Sequence, residues 1–480
     1  MFTRMQTLAP EQINKIHQAS MAILSQTGIV FNDDECVEIF KKSGVKVEGK
    51  TVYLTEEQVM KAIAQAPASF EVKALNPDKR VRIGGDDFVL LPGYGAPFIT
   101  EPGGVQREGL FSDYEKFVKL VATSKTINMN GFLMVEPSDC SPATAHLDMF
   151  ATGLLNCDKP LMGTPLSRQA ARDCVDILAA AYGGRDKLMD APATVSLCNS
   201  LSPLQFSEEM ASSIVELVRG GQAVVVAALI MTGSSGPITI PGVLALQNAE
   251  VLAGITLAQL VRPGAPVIYG STSSAMDMKS GSLSIGAPEL SMFTAFTAQI
   301  ARHYNLPCRS GGGLCDSMLT DAQAGAESAL ALFNAINSGV NFVLHAAGIL
   351  GGYISISLEK FILDEEVAAM VSRMVRPLEV NDDTIDLATI QKVGPGGHYL
   401  TDPKTFKLCR KEIYQTSLMN RQTLEAWQAA GSRDLEKVAA AKVQERLESF
   451  VAPDFPSSLK QDIIKTAQKL SSGRELKIAC

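Results

Sequence analysis

One tryptophan, five histidines and nine cysteines in 480 residues leave little material for metal or disulfide chemistry. The cysteines stand at 36, 140, 157, 174, 198, 308, 315, 409 and 480, never closer than seven apart. That spacing fits neither a disulfide framework nor a Cys-x-x-Cys zinc site. The histidines, at 17, 146, 303, 345 and 398, form no His/Cys/Glu set for activating a leaving group, so no metal is expected. No Lys/Arg tract occurs, and 43 basic against 51 acidic residues give a net charge of -8, which argues against nucleic acid as a partner. The start has no signal-peptide apolar segment, and the longest apolar run, Ala223 to Met231, is half a membrane span. A cytoplasmic protein without a membrane partner is expected. No Walker sequence and no Gly-x-Gly-x-x-Gly at a first strand-to-helix turn is present, which disfavours a nucleotide-binding open sheet.

What the chain does have is a 46% hydrophobic share and enough length for two or three structural units. Apolar spacing predicts helices over 8–27, 33–42 and 55–66, with short β pieces between them. Asp87 to Thr100 reads as a strand opening into a glycine, proline and aromatic loop that carries Tyr94 and Phe98, either a packed crossover or a lid. From about residue 125 a rhythm sets in. Strand candidates begin near Asn128, Pro160, Ala193, Ala223, Ala265, Pro307 and Asn341, with helical segments near 142–155, 168–182, 206–219, 242–261, 288–304 and 320–338. This alternation implies right-handed βαβ units on a parallel sheet. The predicted fold is α/β, a (β/α)8 TIM-like barrel over 126–380, with a helical N-terminal module over 1–125 and a C-terminal helical extension over 381–480. The eighth strand lies at Ile354 to Leu358 or elsewhere. The polar helices Ser432 to Phe450 and Ser457 to Ser471 pack outside the barrel or against a partner.

Two segments hold the best candidates for chemistry. Asn305 to Ser317 and Asn341 to Tyr353 each start as a strand, end in glycines and place a polar side chain at the strand end, Arg309 and His345. Strand carboxyl ends are where parallel α/β proteins build sites, and glycine permits close approach of ligand. A third glycine loop, Val393 to Leu400, carries His398.

Taken together, the repeated units, Arg309-Ser-Gly-Gly-Gly-Leu-Cys-Asp-Ser317, Asp321-Ala-Gln-Ala-Gly-Ala-Glu327 and Gly394-Pro-Gly-Gly-His-Tyr399 resemble the trimethylamine methyltransferase family over nearly the whole chain. The resemblance implies transfer of a methyl group from a methylated amine to the cobalt of a separate corrinoid protein, in the one-carbon metabolism of methanogenesis or acetogenesis. Founding members carry pyrrolysine in the region matching Gly311 to Ser317, where this chain has ordinary residues. It therefore resembles the non-pyrrolysine branch, which demethylates quaternary amines: glycine betaine first, with proline betaine, carnitine and γ-butyrobetaine as alternatives. No His stands in an Asp-x-His-x-x-Gly context, so the corrinoid belongs to a partner protein and no cofactor is tightly held here. A homo-oligomer is expected.

For such a substrate the residues sort by chemistry. A quaternary ammonium cannot donate ordinary hydrogen bonds, so aromatic faces are the expected recognition device, drawn from Tyr94, Phe98, Tyr269, Phe293 and Tyr353. Arg309 can grip a carboxylate with two bonds, unless it forms an ion pair with Asp316 or Asp321. His345 binds the carboxylate or lines the corrinoid entrance, or is a satisfied core histidine. Asn199, Gln205 and Glu250 are further candidates for polar lining, and His398 either fixes its loop or faces cobalt. Two other readings stay open: a barrel lyase or aldolase with phosphate on the amides of Ser310 to Gly313, and a non-enzymatic betaine-binding protein.

Overall fold

The computed structural model describes residues 4–479. Its centre is a sheet of seven parallel strands in the spatial order Val89–Pro92, Phe342–Ala347, Cys308–Arg309, Val267–Ser271, Ala223–Ala228, Thr194–Asn199 and Leu161–Met162. Ala223–Ala228 and Phe342–Ala347 are buried at every position. Unbroken apolar runs are what parallel strands need when helices cover them, because neither face meets water.

The helices between these strands are Ala145–Asn156, Arg168–Tyr182, Glu208–Arg219, Ile240–Val261, Pro288–His303 and Ala322–Asn337, within a few residues of the positions read from periodicity. Their starts are chemically marked. Ser167, Ser207, Asp321 and Ser357 each accept a backbone N–H of the first turn through the side chain. Each such cap stabilises its helix by roughly 0.5–2 kcal/mol. Ile240–Val261 is the one helix among the described residues long and apolar enough to cross a membrane, but 83% of its apolar window is buried inside the protein. It is a core helix.

Two expectations are corrected. Ile354 to Leu358 is not a strand of the parallel sheet, since Ser355–Ile356 pairs with Phe98–Thr100 and Ile349–Leu350 in a separate four-stranded sheet. The strand beside Phe342–Ala347 is instead Val89–Pro92, so the sheet begins before residue 126, inside the stretch assigned to the N-terminal module. Residues 128–130 link the two edges of the sheet. The Asn128 N–H donates to Leu90 O at 2.9 Å, the Asn130 N–H to Pro160 O at 2.7 Å, and the Met162 N–H to Asn130 O at 3.0 Å.

The N-terminal helices Pro10–Ala22, Asp34–Lys42 and Glu56–Ile63 accompany a small sheet in which Ile29–Phe31 pairs with Gln205–Phe206. Phe31 stacks on Phe206 at 5.0 Å, and Arg168 joins Asp33, Glu35 and Glu216. At the other end of the chain, Leu435–Glu448 and Ser457–Leu470 pack on the outer helices through Ala439, Val443, Ile463 and Ala467.

Candidate functional site

Strand register puts Asn199 opposite Ala227, Ala227 opposite Gly270, and Gly270 opposite Arg309. Opposed residues in a parallel sheet share a face, so these four form one row at the strand carboxyl ends. The middle of the row is held by two small residues, Ala227 and Gly270. A Cβ on Gly270 would stand 2.7 Å from both the Ala227 Cβ and Val225 Cγ1, so close packing of the neighbouring strand demands glycine there.

Arg309 is fully buried, yet it has one hydrogen bond, from Nη1 to Ser271 O at 3.2 Å, and its Nε has no partner. The anticipated ion pair with Asp316 or Asp321 does not form. Asp316 instead accepts the backbone N–H groups of Ile285 and Gly286 at 2.9 Å each, and Asp321 caps the helix Ala322–Asn337. Burial lowers the Arg309 pKa, but a guanidinium remains charged. A buried cation without a counterion is the most expensive kind of side chain to keep. Such a group is complementary to a bound anion.

His345 sits beside it in the left-handed region, at φ 62°, as does Tyr353 at φ 75°. Backbone there is strained for residues other than glycine, at a cost of about 1–3 kcal/mol each. The surroundings hold it in place. The Tyr94 N–H donates to His345 Nδ1 at 3.2 Å, so the neutral ring carries its proton on Nε2. Burial and the nearby Arg309 push the His345 pKa well below its usual value, which keeps the ring neutral. The Tyr353 ring lies 4.9 Å from the His345 ring at a tilt of 55°, and its buried hydroxyl has no hydrogen-bond partner. Burial pushes that hydroxyl up to about 12, so it remains a donor. The Tyr94 phenol is raised by burial too. Arg309 Nε, the Tyr353 hydroxyl and the His345 Nε2–H thus supply a cationic donor and two neutral ones, with aromatic rings around them.

The turns beneath these side chains are pinned by a buried pair that sequence reasoning missed. Lys360 Nζ donates to Asp364 at 2.5 Å, to Ser328 Oγ at 2.7 Å and to Gly313 O at 3.4 Å, while Asp364 accepts the Gly348 N–H at 2.8 Å. One pair therefore clamps the loops that follow both Arg309 and His345. Its i, i+4 spacing on a helix was the only signal in the sequence, and that spacing is common on solvated faces. The Gly313 N–H is spent on His345 O at 2.7 Å, which leaves it unavailable to a phosphate. Gly312 has φ 146°, and a Cβ there would lie 2.5 Å from Leu344 O.

Other candidates lie elsewhere. Tyr269 faces the helix layer, with its hydroxyl on Asn248 Oδ1 at 3.0 Å and its ring stacked on Tyr304. Phe293 is core on the helix Pro288–His303. Glu250 is buried but engaged, accepting from Ser200 Oγ at 2.5 Å, Ser202 Oγ at 2.7 Å and the Leu204 N–H at 2.8 Å. It fixes the loop after Thr194–Asn199 and does not line the Arg309 site. Gln205 is tied into the N-terminal sheet opposite Val30. His398 is exposed in the C-terminal segment, far along the chain from the sheet. Phe98 is partly exposed on the strand whose N–H joins Ile354 O, and so neighbours the loop that carries Tyr353. Among the described residues, no group of three or more His, Cys, Asp or Glu side chains is arranged to hold a metal ion.

The chain matches the family model described as trimethylamine methyltransferase (MTTB) over residues 1–470. It is 46% identical over 446 residues to a glycine betaine methyltransferase of Desulfitobacterium hafniense, covering 93% of each chain. To a proline betaine:corrinoid methyltransferase of Eubacterium limosum it is 32% identical, over 94% of this chain and 95% of that one. A trimethylamine methyltransferase of Methanosarcina barkeri is 30% identical, over 96% and 95%. Among solved structures, the monomethylamine methyltransferase of Methanosarcina barkeri superposes with a TM-score of 0.51 at 13% identity, covering 98% of this chain and 93% of that one, a likeness of fold.

Proposed function

Because the chain belongs to the trimethylamine methyltransferase family, we propose that it moves a methyl group from a carboxylated quaternary amine, glycine betaine first, to a corrinoid carried by a separate protein. The product is dimethylglycine. The observation that carries this reading is the buried, unpaired Arg309 beside the neutral His345 and the free Tyr353 hydroxyl. These three donors receive the carboxylate. The rings of Tyr94 and Tyr353, with Phe98 at the rim, surround the ammonium at about 0.5–2 kcal/mol per good contact.

A corrinoid presented by the partner protein would supply the nucleophile for the methyl carbon. The C–N bond pair stays on nitrogen, so a cation becomes a neutral tertiary amine and no proton is needed for departure. This explains why the site needs no general acid, and why a histidine held neutral is useful: a second positive charge beside the ammonium would weaken its binding. The chain's residues orient one N-methyl outward, hold the carboxylate and keep water away. Proline betaine is a second substrate of the same design, a reading supported by the Eubacterium limosum relative.

We read the seven strands and the linking residues 128–130 as a closed (β/α)8 barrel whose mouth holds this site. The scattered, unpaired cysteines fit a reducing cytoplasm, where the cognate corrinoid protein would be met. The test mixes the purified chain, the reduced cognate corrinoid protein and single amines. Loss of the Co(I) spectrum with formation of dimethylglycine supports the reading. Turnover of trimethylamine alone, or betaine binding without methyl loss, overturns it.

A further inference from the structure

Between residues 376 and 430 the chain folds into short helices with almost no core. Asp382–Ile385, Leu387–Val393, Pro403–Glu412 and Leu424–Ala429 contain no buried residue, and Leu418 is the one buried position of the segment. Polar contacts hold the arm in shape, among them Lys404 to Asp383 and Asp386, and Arg373 to Glu412 O. Its apolar side chains face water instead. Leu378 is 87% exposed, Leu400 85% and Phe406 87%. A segment that buries only Leu418 of its hydrophobic residues in its own chain is built to bury others elsewhere.

The same chain offers a receptor. An apolar groove of about 910 Å³ runs between the helices Ala322–Asn337 and Leu358–Met374, lined by Ala326, Leu330, Phe333, Val367 and Met370. Its margin is acidic, with Asp321, Asp434 and Glu436. Helix Pro403–Glu412 has the opposite character. Phe406 and Cys409, three apart, are exposed on it, the extended C-cap Ile413 follows them, and Lys407 and Arg410 flank the pair.

We infer that this chain forms a two-fold dimer by arm exchange, with helix Pro403–Glu412 of each copy laid in the groove between Ala322–Asn337 and Leu358–Met374 of the other. Three observations select a second copy as the occupant. The charges are complementary between arm and groove of one sequence. Both surfaces lie on every chain, so a single two-fold operation satisfies each twice. The arm also leaves and rejoins the body at the groove's own margin, at Met374 and at Met419 and Leu435, which puts the arms of two adjacent copies within reach of each other's grooves. Ten large apolar side chains between Leu378 and Leu424 are exposed. Phe406 and the cap residue Ile413 are the two of them that helix Pro403–Glu412 brings to the groove, and the others lie along the rest of the arm. The inference stands apart from the methyl-transfer reading, since no residue of the Arg309 site takes part.

The test uses the full chain. Sedimentation should give an assembly built on twice the 51.3 kDa chain mass. Phe406→Asp, at an exposed position, should weaken dimerisation at least a hundredfold while far-UV circular dichroism is unchanged. Leu330→Asp in the groove should do the same. In a Leu330→Cys variant, oxidation should link the new thiol to Cys409 of the other copy and give a covalent dimer on a non-reducing gel, lost when Cys409→Ser is added. A monomeric wild type, a mass indifferent to both Asp variants, or a Leu330→Cys link formed within one chain would overturn the exchange. So would a groove filled only when the corrinoid protein is present.

Discussion

Replacing Arg309 by leucine separates a binding residue from a structural one, because the two roles predict opposite changes in stability. As it stands, the guanidinium is desolvated, makes one hydrogen bond to Ser271 O and leaves Nε unpaired. Removing one neutral-type hydrogen bond costs about 1 kcal/mol, but removing an unpaired buried charge returns a desolvation penalty of several kcal/mol. The unliganded Arg309→Leu protein should therefore melt at or above the wild-type temperature. Binding should suffer in proportion. A carboxylate left without its cation in a buried site costs about 3–5 kcal/mol, which at ~1.4 kcal/mol per decade is a loss of roughly 100- to 3,000-fold in kcat/KM for glycine betaine. A quaternary amine with no carboxylate, such as tetramethylammonium, should lose less than about threefold. Calorimetric melting of the free protein, with methyl transfer followed for both amines, reads all three quantities. A variant that melts several degrees lower and loses both amines equally would refute the reasoning, because Arg309 would then be part of the framework.

Three further outcomes follow from the same site. The depressed His345 pKa means that the unfolded chain binds a proton below about 6.5 that the native site refuses, so the stability it contributes is complete above about 6.5 and falls as pH drops below it, at up to ~1.36 kcal/mol per pH unit; melting temperature against pH, compared with His345→Gln, should show a shallower slope in the variant, the remainder belonging to other groups such as His303. Tyr353→Phe removes a hydroxyl with no hydrogen-bond partner, so the melting temperature should stay within about 1 °C while KM for glycine betaine rises roughly 5- to 30-fold, the equivalent of ~1–2 kcal/mol. Lys360→Met strands Asp364 in the interior and should destabilise by about 3–5 kcal/mol in denaturant titration, and the double change Lys360→Met with Asp364→Leu should recover most of that loss.

The parallel sheet was legible because its strands are written as unbroken apolar runs. Ala223–Ala228 and Phe342–Ala347 stand out against the polar turns, and Ser207 and Asp321 mark helix starts that can be read without coordinates. Where the sheet begins was less legible. Val89–Pro92 lies in the stretch that reads as a strand opening into a loop, but it precedes the regular spacing by a whole helix, Phe111–Thr123, so the spacing does not join it to the sheet. Residues 128–130 join the sheet edges through three backbone hydrogen bonds and never reach the length of a ladder, which is why periodicity found a strand where the backbone makes a bridge.

The site divides along a different line. Arg309, His345, Tyr94 and Tyr353, the groups of the proposed site, stand out by their types and by the glycines beside them, but Tyr269 could not be told apart from them, because one residue of register decides which face a strand residue occupies. Gly270 settles it: opposed to Ala227 and Arg309, it puts Tyr269 on the helix side, against Asn248 and Tyr304. The same register explains the site's shape. Ala227 and Gly270 let the strands between Asn199 and Arg309 pack closely, and small residues give no signal in a sequence scanned for charged and aromatic side chains. A larger side chain at Gly270 should therefore displace Ala227 or Val225 and disturb the sheet beside Arg309 without touching any group of the proposed site.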